Sequence, residues 1–189
     1  LAGLADIYVN DAFGAAHRAH ASTAAMAKFL PAVAGLLVER EVAMLSQVLE
    51  SPERPFVAIL GGVKAKIGVI ENLMPKVDML LIGGGMAYTF LKAQGKEIGR
   101  SVLDEENFET AKRVLERAAR AGPQLLLPSD VVVTAELDIK SWSPSTPRRV
   151  VSVEAILPDW HGADIGPETI KVFSGVIREA RRVVWNGPM

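Results

Sequence analysis

Two short, continuous apolar runs, each followed at once by glycines, constrain the fold of this chain more than any other feature. Phe56–Leu60 leads into Gly61-Gly62, and Met79–Ile82 leads into Gly83-Gly84-Gly85. Apolar residues at every position, rather than at alternate positions, are typical of a strand that is covered on both faces. A helical pattern follows each run, so the two runs predict parallel strands that are joined by helices.

The rest of the chain repeats this alternation of strands and helices. The predicted helices cover residues 35–50, a stretch ending near 73, 86–92, 104–121 and 167–181, and the further predicted strands cover 5–9, 125–127, 131–133 and 183–185. Residues 15–33 give no clear pattern, and the Pro-rich segment 137–149 predicts a surface excursion. The sequence therefore predicts an α/β fold with a mostly parallel sheet and helices on both faces. Both ends interrupt a periodic segment, so we expect the chain to be part of a longer protein.

The composition excludes several classes of protein. Of the 189 residues, 49% are hydrophobic and 23% are charged, which is typical of a globular chain and not of a disordered one. The absence of cysteine excludes disulfides, thiolate zinc sites and thiol nucleophiles. Because the chain has three histidines, a metal site built mainly from imidazoles is not favoured. A net charge of −1 and the absence of a long apolar run predict neither a nucleic-acid partner nor a membrane partner.

The two glycine clusters indicate where a ligand would bind. In parallel α/β sheets the ligand lies at the carboxyl ends of the strands, and glycine lets backbone N–H groups approach a phosphate or a flat base. Tight turns without any ligand would need the same glycines. No dinucleotide fingerprint and no P-loop string occurs, and what remains is Gly61-Gly62 followed by Lys64 and Lys66. Lysines beside such a turn suit a phosphate, although two solvated surface lysines would have the same spacing.

A second candidate site lies among small residues in the first thirty positions. It consists of the charged or polar residues Asp11, His17, Arg18, His20 and Lys28. Arginine binds phosphate or carboxylate through its planar fork, and histidine can add charge or a hydrogen bond. Composition alone favours the other interpretation, a solvated loop with an ordinary helix cap.

Seven segments, in order along the chain, resemble the phosphoglycerate kinase family. They are YVNDAFGAAHRAHAS (8–22), LESPERPF (49–56), ILGGVK (59–64), IGGGMAYTFLK (82–92), LPSD (127–130), GADIGP (162–167) and VWNGP (184–188). The resemblance implies a Rossmann-like parallel sheet plus a remnant of a second α/β lobe. It assigns residues 1–33 to the tail of the amino lobe, 34–54 to an interdomain helix and linker, and 55–189 to a nucleotide lobe that is incomplete at its carboxyl end.

The resemblance also implies a reaction and its substrates. The family transfers a phosphoryl group reversibly between 1,3-bisphosphoglycerate and Mg-ADP, which gives 3-phosphoglycerate and Mg-ATP in glycolysis. The implied protein is a cytoplasmic monomer that binds small molecules and neither nucleic acid nor membrane. We expect the magnesium ligand in a segment that this chain lacks, so no metal-binding residue is assigned here.

Site residues follow from the same resemblance. His17, Arg18 and His20 match the basic patch that binds phosphoglycerate, with Arg18 as the direct contact. The nucleotide would be bound by Gly61, Gly62, Lys64, Lys66, Gly84, Gly85, Gly162, Asn186 and Pro188. Lys64 would be the catalytic residue that stabilises the transferring phosphoryl group by its charge, without proton transfer.

Two local departures from the family pattern affect this site. The family has three residues between its two phosphate lysines, whereas Ala65 alone separates Lys64 from Lys66. Residues two apart on a helix do not share a face, so either the loop is rebuilt or residues are missing between the lysines. Ala163 replaces a larger apolar residue, which would loosen packing against the base. Two other functions remain open: a non-catalytic nucleotide-binding fragment, and a nicotinamide oxidoreductase that the missing fingerprint disfavours.

Overall fold

The computed structural model describes residues 1–62, 67–137 and 147–189, which form two compact units, Leu1–Pro52 and Glu53–Met189. The predictions for Lys64 and Lys66, and most of the predicted excursion at 137–149, lie outside the described residues. Where residues are described, no helix combines the length and the apolar composition that crossing a membrane requires.

The first unit consists of short elements and one long helix. Strands β1 (Tyr8–Asn10) and β2 (Ala32–Ala34) pair in parallel, and helix α1 spans Leu36–Glu50. Single helical turns at Ala2–Leu4, Phe13–Ala15, Ala21–Ala25 and Met26–Lys28 complete it. The predicted helix at 35–50 is confirmed, and the predicted first strand begins three residues later than expected. Strand β2 begins at the end of residues 15–33, for which no pattern was predicted.

The second unit follows the predicted alternation more closely. Its elements are β3 (Phe56–Leu60), α2 (Ile67–Leu73), β4 (Met79–Ile82), α3 (Gly84–Ala93), α4 (Phe108–Ala121), β5 (Gln124–Leu126), β6 (Asp130–Thr134), β7 (Arg148–Ser152), β8 (His161–Ile165), α5 (Pro167–Glu179) and β9 (Arg182–Asn186). A single helical turn at Glu105–Asn107 precedes α4. Every residue of β3 is buried, as its uninterrupted apolar run predicts.

Four strands form a parallel sheet in the order β5-β4-β3-β9. The chain moves outward from β3 through β4 to β5 and then returns to the other side of β3. Right-handed crossovers therefore place α2, α3 and α4 on one face and α5 on the other. On the α5 face, Phe173 packs against Val57, Ile59 and Leu81. The predicted parallel sheet with helices on both faces is confirmed, and its strand order reverses between β3 and β9.

The apolar run at 131–133 forms a strand, as predicted, but this strand does not join the parallel sheet. It lies in β6, the central strand of a separate antiparallel sheet in the order β7-β6-β8. The partner strands were not predicted, since β7 is mostly exposed and β8 contains the weak strand formers Gly162 and Ala163. Apolar periodicity identifies a strand but not the direction or identity of its partner.

Candidate functional site

Three chain segments meet at the carboxyl edge of the parallel sheet, where the strand order reverses. The amide N–H of Gly61 donates to the carbonyl of Asn186 at 2.9 Å, and that of Gly62 donates to the carbonyl of Pro188 at 2.8 Å. The amide of Met86, in the first turn of α3, donates to the carbonyl of Gly62 at 2.8 Å. The segments after β3, before α3 and after β9 thus share one hydrogen-bonded edge, which is where open α/β sheets bind ligands.

Some of the glycines at this edge are required by backbone packing. A Cβ atom on Gly61 would lie 1.9 Å from the carbonyl oxygen of Pro188. A Cβ atom on Gly84 would lie 2.6 Å from both the Gly62 nitrogen and the Pro188 oxygen, at a positive φ of 59°. The tight-turn interpretation of the glycines therefore holds for these two positions. Gly62, at a φ of 95°, has open space beside it, since its nearest neighbour would be 3.9 Å away.

The open space is a cavity of about 870 Å³. It lies within the range of roughly 300–1,000 Å³ that is typical of small-molecule sites. Its lining residues are Gly62, Gly84, Gly85, Val102, Val132, Leu137, Arg148, Arg149, Val150, Gly162, Ala163, Asp164, Pro188 and Met189. Glycines and backbone from the parallel sheet edge form one wall, and side chains of the antiparallel sheet form the other.

The antiparallel sheet divides its two faces between the cavity and the core. Val131 and Val133 pack with Tyr88 and Leu91 of α3. Because side chains alternate along a strand, Val132 lies on the opposite face, and it lines the cavity. Val132 pairs with Asp164, whereas Val133 pairs with Gly162, so the register shifts between the two valines. Ala163 forms a bulge between Gly162 and Asp164. A bulge changes the direction of the neighbouring side chains, and here Gly162, Ala163 and Asp164 all border the cavity.

Position 162 requires glycine, because the Tyr88 ring leaves no room for a side chain there. A Cβ atom on Gly162 would lie 1.9 Å from the Tyr88 hydroxyl oxygen. Burial, together with the nearby Asp164 carboxylate, raises the pKa of Tyr88 well above its ordinary value, so the phenol stays neutral. The Gly162 amide donates to the Ser101 hydroxyl at 2.8 Å, which fixes this part of the cavity wall.

The nucleotide-site residues that the sequence predicts fall into three groups. Gly62, Gly84, Gly85, Gly162 and Pro188 line the cavity. Gly61 and Asn186 are not among its lining residues and pair with each other through their backbones. Lys64 and Lys66 lie outside the described residues. The cavity side chains of β6 and β7 were not among the predicted site residues, because the antiparallel sheet that presents them was not predicted.

The basic candidate patch lies in the first unit, on an exposed turn. His17, Arg18 and His20 are all exposed, and the Arg18 Nε donates to the His17 Nε2 at 3.3 Å. Thr23 is buried beneath them, donates from its hydroxyl to the Arg18 carbonyl at 2.6 Å and accepts from the His20 amide at 3.1 Å. These bonds hold the turn so that the three basic side chains lie at its surface.

Asp11, another candidate of this region, caps a helix. Its Oδ1 accepts the amide N–H groups of Leu37 at 2.7 Å and Val38 at 3.1 Å, in the first turn of α1. Asp11 thus has the ordinary capping role that was the alternative to a ligand contact. Over the described ranges, no group of three or more His, Asp and Glu side chains is placed to hold a metal ion.

Comparison with known proteins decides the family. The family model described as Phosphoglycerate kinase matches residues 1–189. The chain belongs to the phosphoglycerate kinase family. It is 58% identical to a phosphoglycerate kinase of Thermomicrobium roseum and 56% identical to one of Roseiflexus sp., over all of this chain and 47% of each relative. The predicted resemblance to this family is therefore confirmed.

Solved phosphoglycerate kinases have the same fold. The structure from Coxiella burnetii superposes with a TM-score of 0.83 at 44% identity, over 99% of this chain and 48% of that one. The structure from Pyrococcus horikoshii superposes with a TM-score of 0.79 at 28% identity, over 100% of this chain and 47% of that one. The chain thus spans about half the length of the phosphoglycerate kinases that it matches.

The alignments also bear on the spacing of the two lysines. Those to the Thermomicrobium and Roseiflexus kinases span 191 positions, whereas this chain has 189 residues, so at least two positions of these relatives have no counterpart here. Two is also the number of residues by which the interval between Lys64 and Lys66 is shorter than the family pattern.

Proposed function

We propose that the protein to which this chain belongs is a phosphoglycerate kinase that transfers a phosphoryl group reversibly between 1,3-bisphosphoglycerate and Mg-ADP, and that this chain supplies the nucleotide site. The observation that carries the proposal is the cavity of about 870 Å³ that lies where the strand order reverses and is lined by Gly62, Gly84 and Gly162. A flat base can lie against such a backbone wall, because no Cβ atom projects into it. We also propose that the whole protein is a monomer that acts in glycolysis in the cytoplasm.

The base and ribose would lie in the described part of the cavity. Gly84, Gly85 and Gly162 would contact the base, whereas Pro188 would border the ribose. Gly61 and Asn186 would act behind this surface by fixing the position of the β3 and β9 ends, since their backbone groups pair with each other. The phosphates would extend toward Lys64 and Lys66, which lie two and four residues after Gly62 in the sequence.

Phosphoryl transfer depends on alignment and charge more than on covalent chemistry by the protein. Lys64 would stabilise the charge of the transferring group, and Lys66 would bind a second phosphate. Magnesium would arrive with the nucleotide as part of the substrate. His17, Arg18 and His20 would bind the carboxylate and phosphate of phosphoglycerate, because Arg18 presents a planar donor fork on an exposed turn.

The first test is calorimetric titration of this 189-residue chain with Mg-ADP. Saturable binding that weakens about tenfold or more in Lys64→Ala, and not in Lys171→Ala, would support the nucleotide site and the role of Lys64. Lys171 is the matched control because it is an exposed lysine of α5 that does not line the cavity. The absence of any binding would contradict the proposal that this chain supplies the nucleotide site.

A coupled assay of ATP formation from 1,3-bisphosphoglycerate separates the kinase from the non-catalytic alternative. Turnover that falls in Arg18→Ala would support a catalytic role for this chain. Saturable ADP binding without turnover would instead favour a nucleotide-binding fragment. Binding of NAD in preference to ADP would favour the oxidoreductase.

A further inference from the structure

A second, much smaller cavity lies next to the large one, beside Tyr88. Its volume is about 30 Å³, and it is lined by residues of α3, β6 and β8 and by Pro128. Five residues line both cavities, namely Gly84, Gly85, Gly162, Ala163 and Asp164. The small cavity therefore lies against the wall that a ligand of the large cavity would contact.

The hydroxyl of Tyr88 lacks a hydrogen-bond partner among the residues that the structure describes. Tyr88 is 3% exposed and lines the small cavity. No hydrogen bond of its oxygen occurs within residues 1–62, 67–137 and 147–189. A buried tyrosine hydroxyl normally has such a partner. The group has a proton to donate, because burial and the nearby Asp164 carboxylate raise the pKa of Tyr88.

Two backbone amides at the start of α3 also lack an acceptor in the described part of the chain. The first N–H groups of a helix have no partner inside the helix, and α3 begins at Gly84. The amide of Met86 donates to the carbonyl of Gly62, whereas the amides of Gly84 and Gly85 donate to no group of the described residues. Both glycines line the small cavity.

Helix geometry brings the hydroxyl and the two amides to the same end of α3. Tyr88 lies four residues after Gly84 and three after Gly85, so the three residues share one helix face. Side chains of a helix lean toward its amino end, and the Tyr88 ring therefore extends toward the first turn. Its oxygen reaches β8, where a Cβ atom on Gly162 would lie 1.9 Å from it. Three hydrogen-bond donors thus border one small cavity.

The size and the charge of the small cavity favour a single water molecule as its ligand. Its volume of about 30 Å³ exceeds the roughly 10–15 Å³ that one buried water requires. Donors alone would suit an anion, but the Asp164 carboxylate also lines the cavity and would repel one. The Asp164 Oδ1 accepts the Ile165 amide at 2.8 Å, and a carboxylate can accept further hydrogen bonds. Water can accept from the donors and donate to this carboxylate.

We propose that the small cavity binds one water molecule, which accepts hydrogen bonds from the Tyr88 hydroxyl and from an amide at the start of α3 and donates one to the Asp164 carboxylate. This water joins the two walls of the large cavity, because α3 begins in the glycine wall and Asp164 belongs to the antiparallel sheet. The site goes beyond the proposed kinase function and does not depend on it, since every group that holds the water belongs to this chain.

A high-resolution crystal structure of the 189-residue chain tests the site directly. The expected result is one water oxygen within about 3.2 Å of both the Tyr88 oxygen and the nitrogen of Gly84 or Gly85. Crystals soaked in sodium bromide separate water from an anion, because bromide gives an anomalous signal. An empty cavity, or bromide inside it, would overturn the proposal. This measurement uses the unaltered chain, so it does not depend on the folding of any variant.

Oxygen-17 relaxation dispersion counts long-lived buried water molecules in solution. Tyr88→Phe keeps the ring and removes the hydroxyl, so this variant should hold about one such water fewer than the unaltered chain. Tyr8→Phe is the matched control, because Tyr8 is the other tyrosine of the chain, its hydroxyl donates to the Ser22 carbonyl at 2.7 Å, and it does not line the small cavity. Its count should not change. An unchanged count in folded Tyr88→Phe would contradict the role of the Tyr88 hydroxyl.

Discussion

The carboxylate of Asp130 and the hydroxyl of Thr169 lie 2.6 Å apart, although 39 residues separate them in the sequence. Asp130 opens β6 of the antiparallel sheet, and Thr169 lies in the first turn of α5. The same carboxylate accepts the backbone amides of Thr169 at 2.7 Å and Glu168 at 3.1 Å. Asp130 therefore caps α5 from a distant strand. Since α5 continues into β9, this cap links the two walls of the cavity.

The Asp130 cap should make stability depend on pH. Although burial by itself raises the pKa of Asp130, the hydrogen bonds from Thr169 and Glu168 outweigh it and lower the pKa below the ordinary value near 3.8. A lowered carboxyl pKa contributes stability above the unfolded-state pKa, and that contribution is lost as the pH falls through the folded-state pKa. Asp130→Asn should therefore lower the free energy of unfolding by about 1–3 kcal/mol at pH 7, and by a smaller amount at pH 3, which lies below the unfolded-state pKa.

Urea unfolding at the two pH values measures this difference. Asp159→Asn is the control, because Asp159 is exposed and caps no helix among the residues that the structure describes. A deficit of the same size at pH 7 and pH 3 would show that the Asp130 charge does not stabilise α5.

The contrast between Gly84 and Gly175 tests whether the glycines at the cavity are structural. Gly84→Ala places a methyl group 2.6 Å from two backbone atoms at a φ of 59°, which should cost at least about 2 kcal/mol of unfolding free energy. Gly175 lies within α5 with no atom within 4 Å of an added Cβ, so Gly175→Ala should stabilise by about 0.5–1 kcal/mol. Denaturant unfolding of both variants gives the comparison. Equal effects would mean that the β3 and β9 ends can move apart at little cost.

Gly162 and Tyr88 should behave as a coupled pair. Gly162→Ala drives a methyl group into the buried ring of Tyr88, and overpacking of this kind costs about 1–3 kcal/mol. Tyr88→Leu removes the ring atoms that the methyl group would meet. The double variant should therefore lose less stability than the sum of the two single variants, by about 0.5 kcal/mol or more. Strict additivity in a double-mutant cycle would show that the wall relaxes elsewhere.

The two apolar runs and the glycines that follow them predicted the parallel-sheet wall of the cavity, because each of these sequence patterns fits only one local structure. An uninterrupted apolar strand must be covered on both faces, and its glycines must lie at the carboxyl edge of the sheet. The sequence predicted both glycine clusters at this edge, and the structure brings Gly62 and Gly84 together around the Pro188 carbonyl. Strand β6 shows the limit of this reasoning. Its valines are as apolar as those of a parallel strand, but its partners β7 and β8 are short of apolar residues.

The wall of the cavity formed by the antiparallel sheet was not predicted for the same reason, because its strands pair with partners that the sequence does not reveal. Arg148 and Val150 border it because β7 pairs with β6 in one register, and a shift of one residue would turn both away. In this register Val151 packs against the cluster that contains Tyr88 and Leu91 of α3, which are remote in sequence. Gly162 was assigned to the site by resemblance, whereas its physical reason, the ring of Tyr88 behind it, appears once the two segments are packed together.

Asp11 offers a prediction for the first unit. Its Oδ1 accepts two amides of α1, and a Cβ atom on Gly35 would lie 2.4 Å from that oxygen, so the backbone approaches closely because residue 35 is glycine. Removing such a cap typically costs about 1 kcal/mol. In Asp11→Ala the amides of Leu37 and Val38 should exchange with solvent about fivefold faster, as measured by hydrogen exchange with NMR detection. Asp6→Ala, at an exposed position on the same segment, should leave these rates unchanged. Unchanged exchange in Asp11→Ala would mean that water replaces the carboxylate at the helix start without loss, and that Asp11 is available for another role.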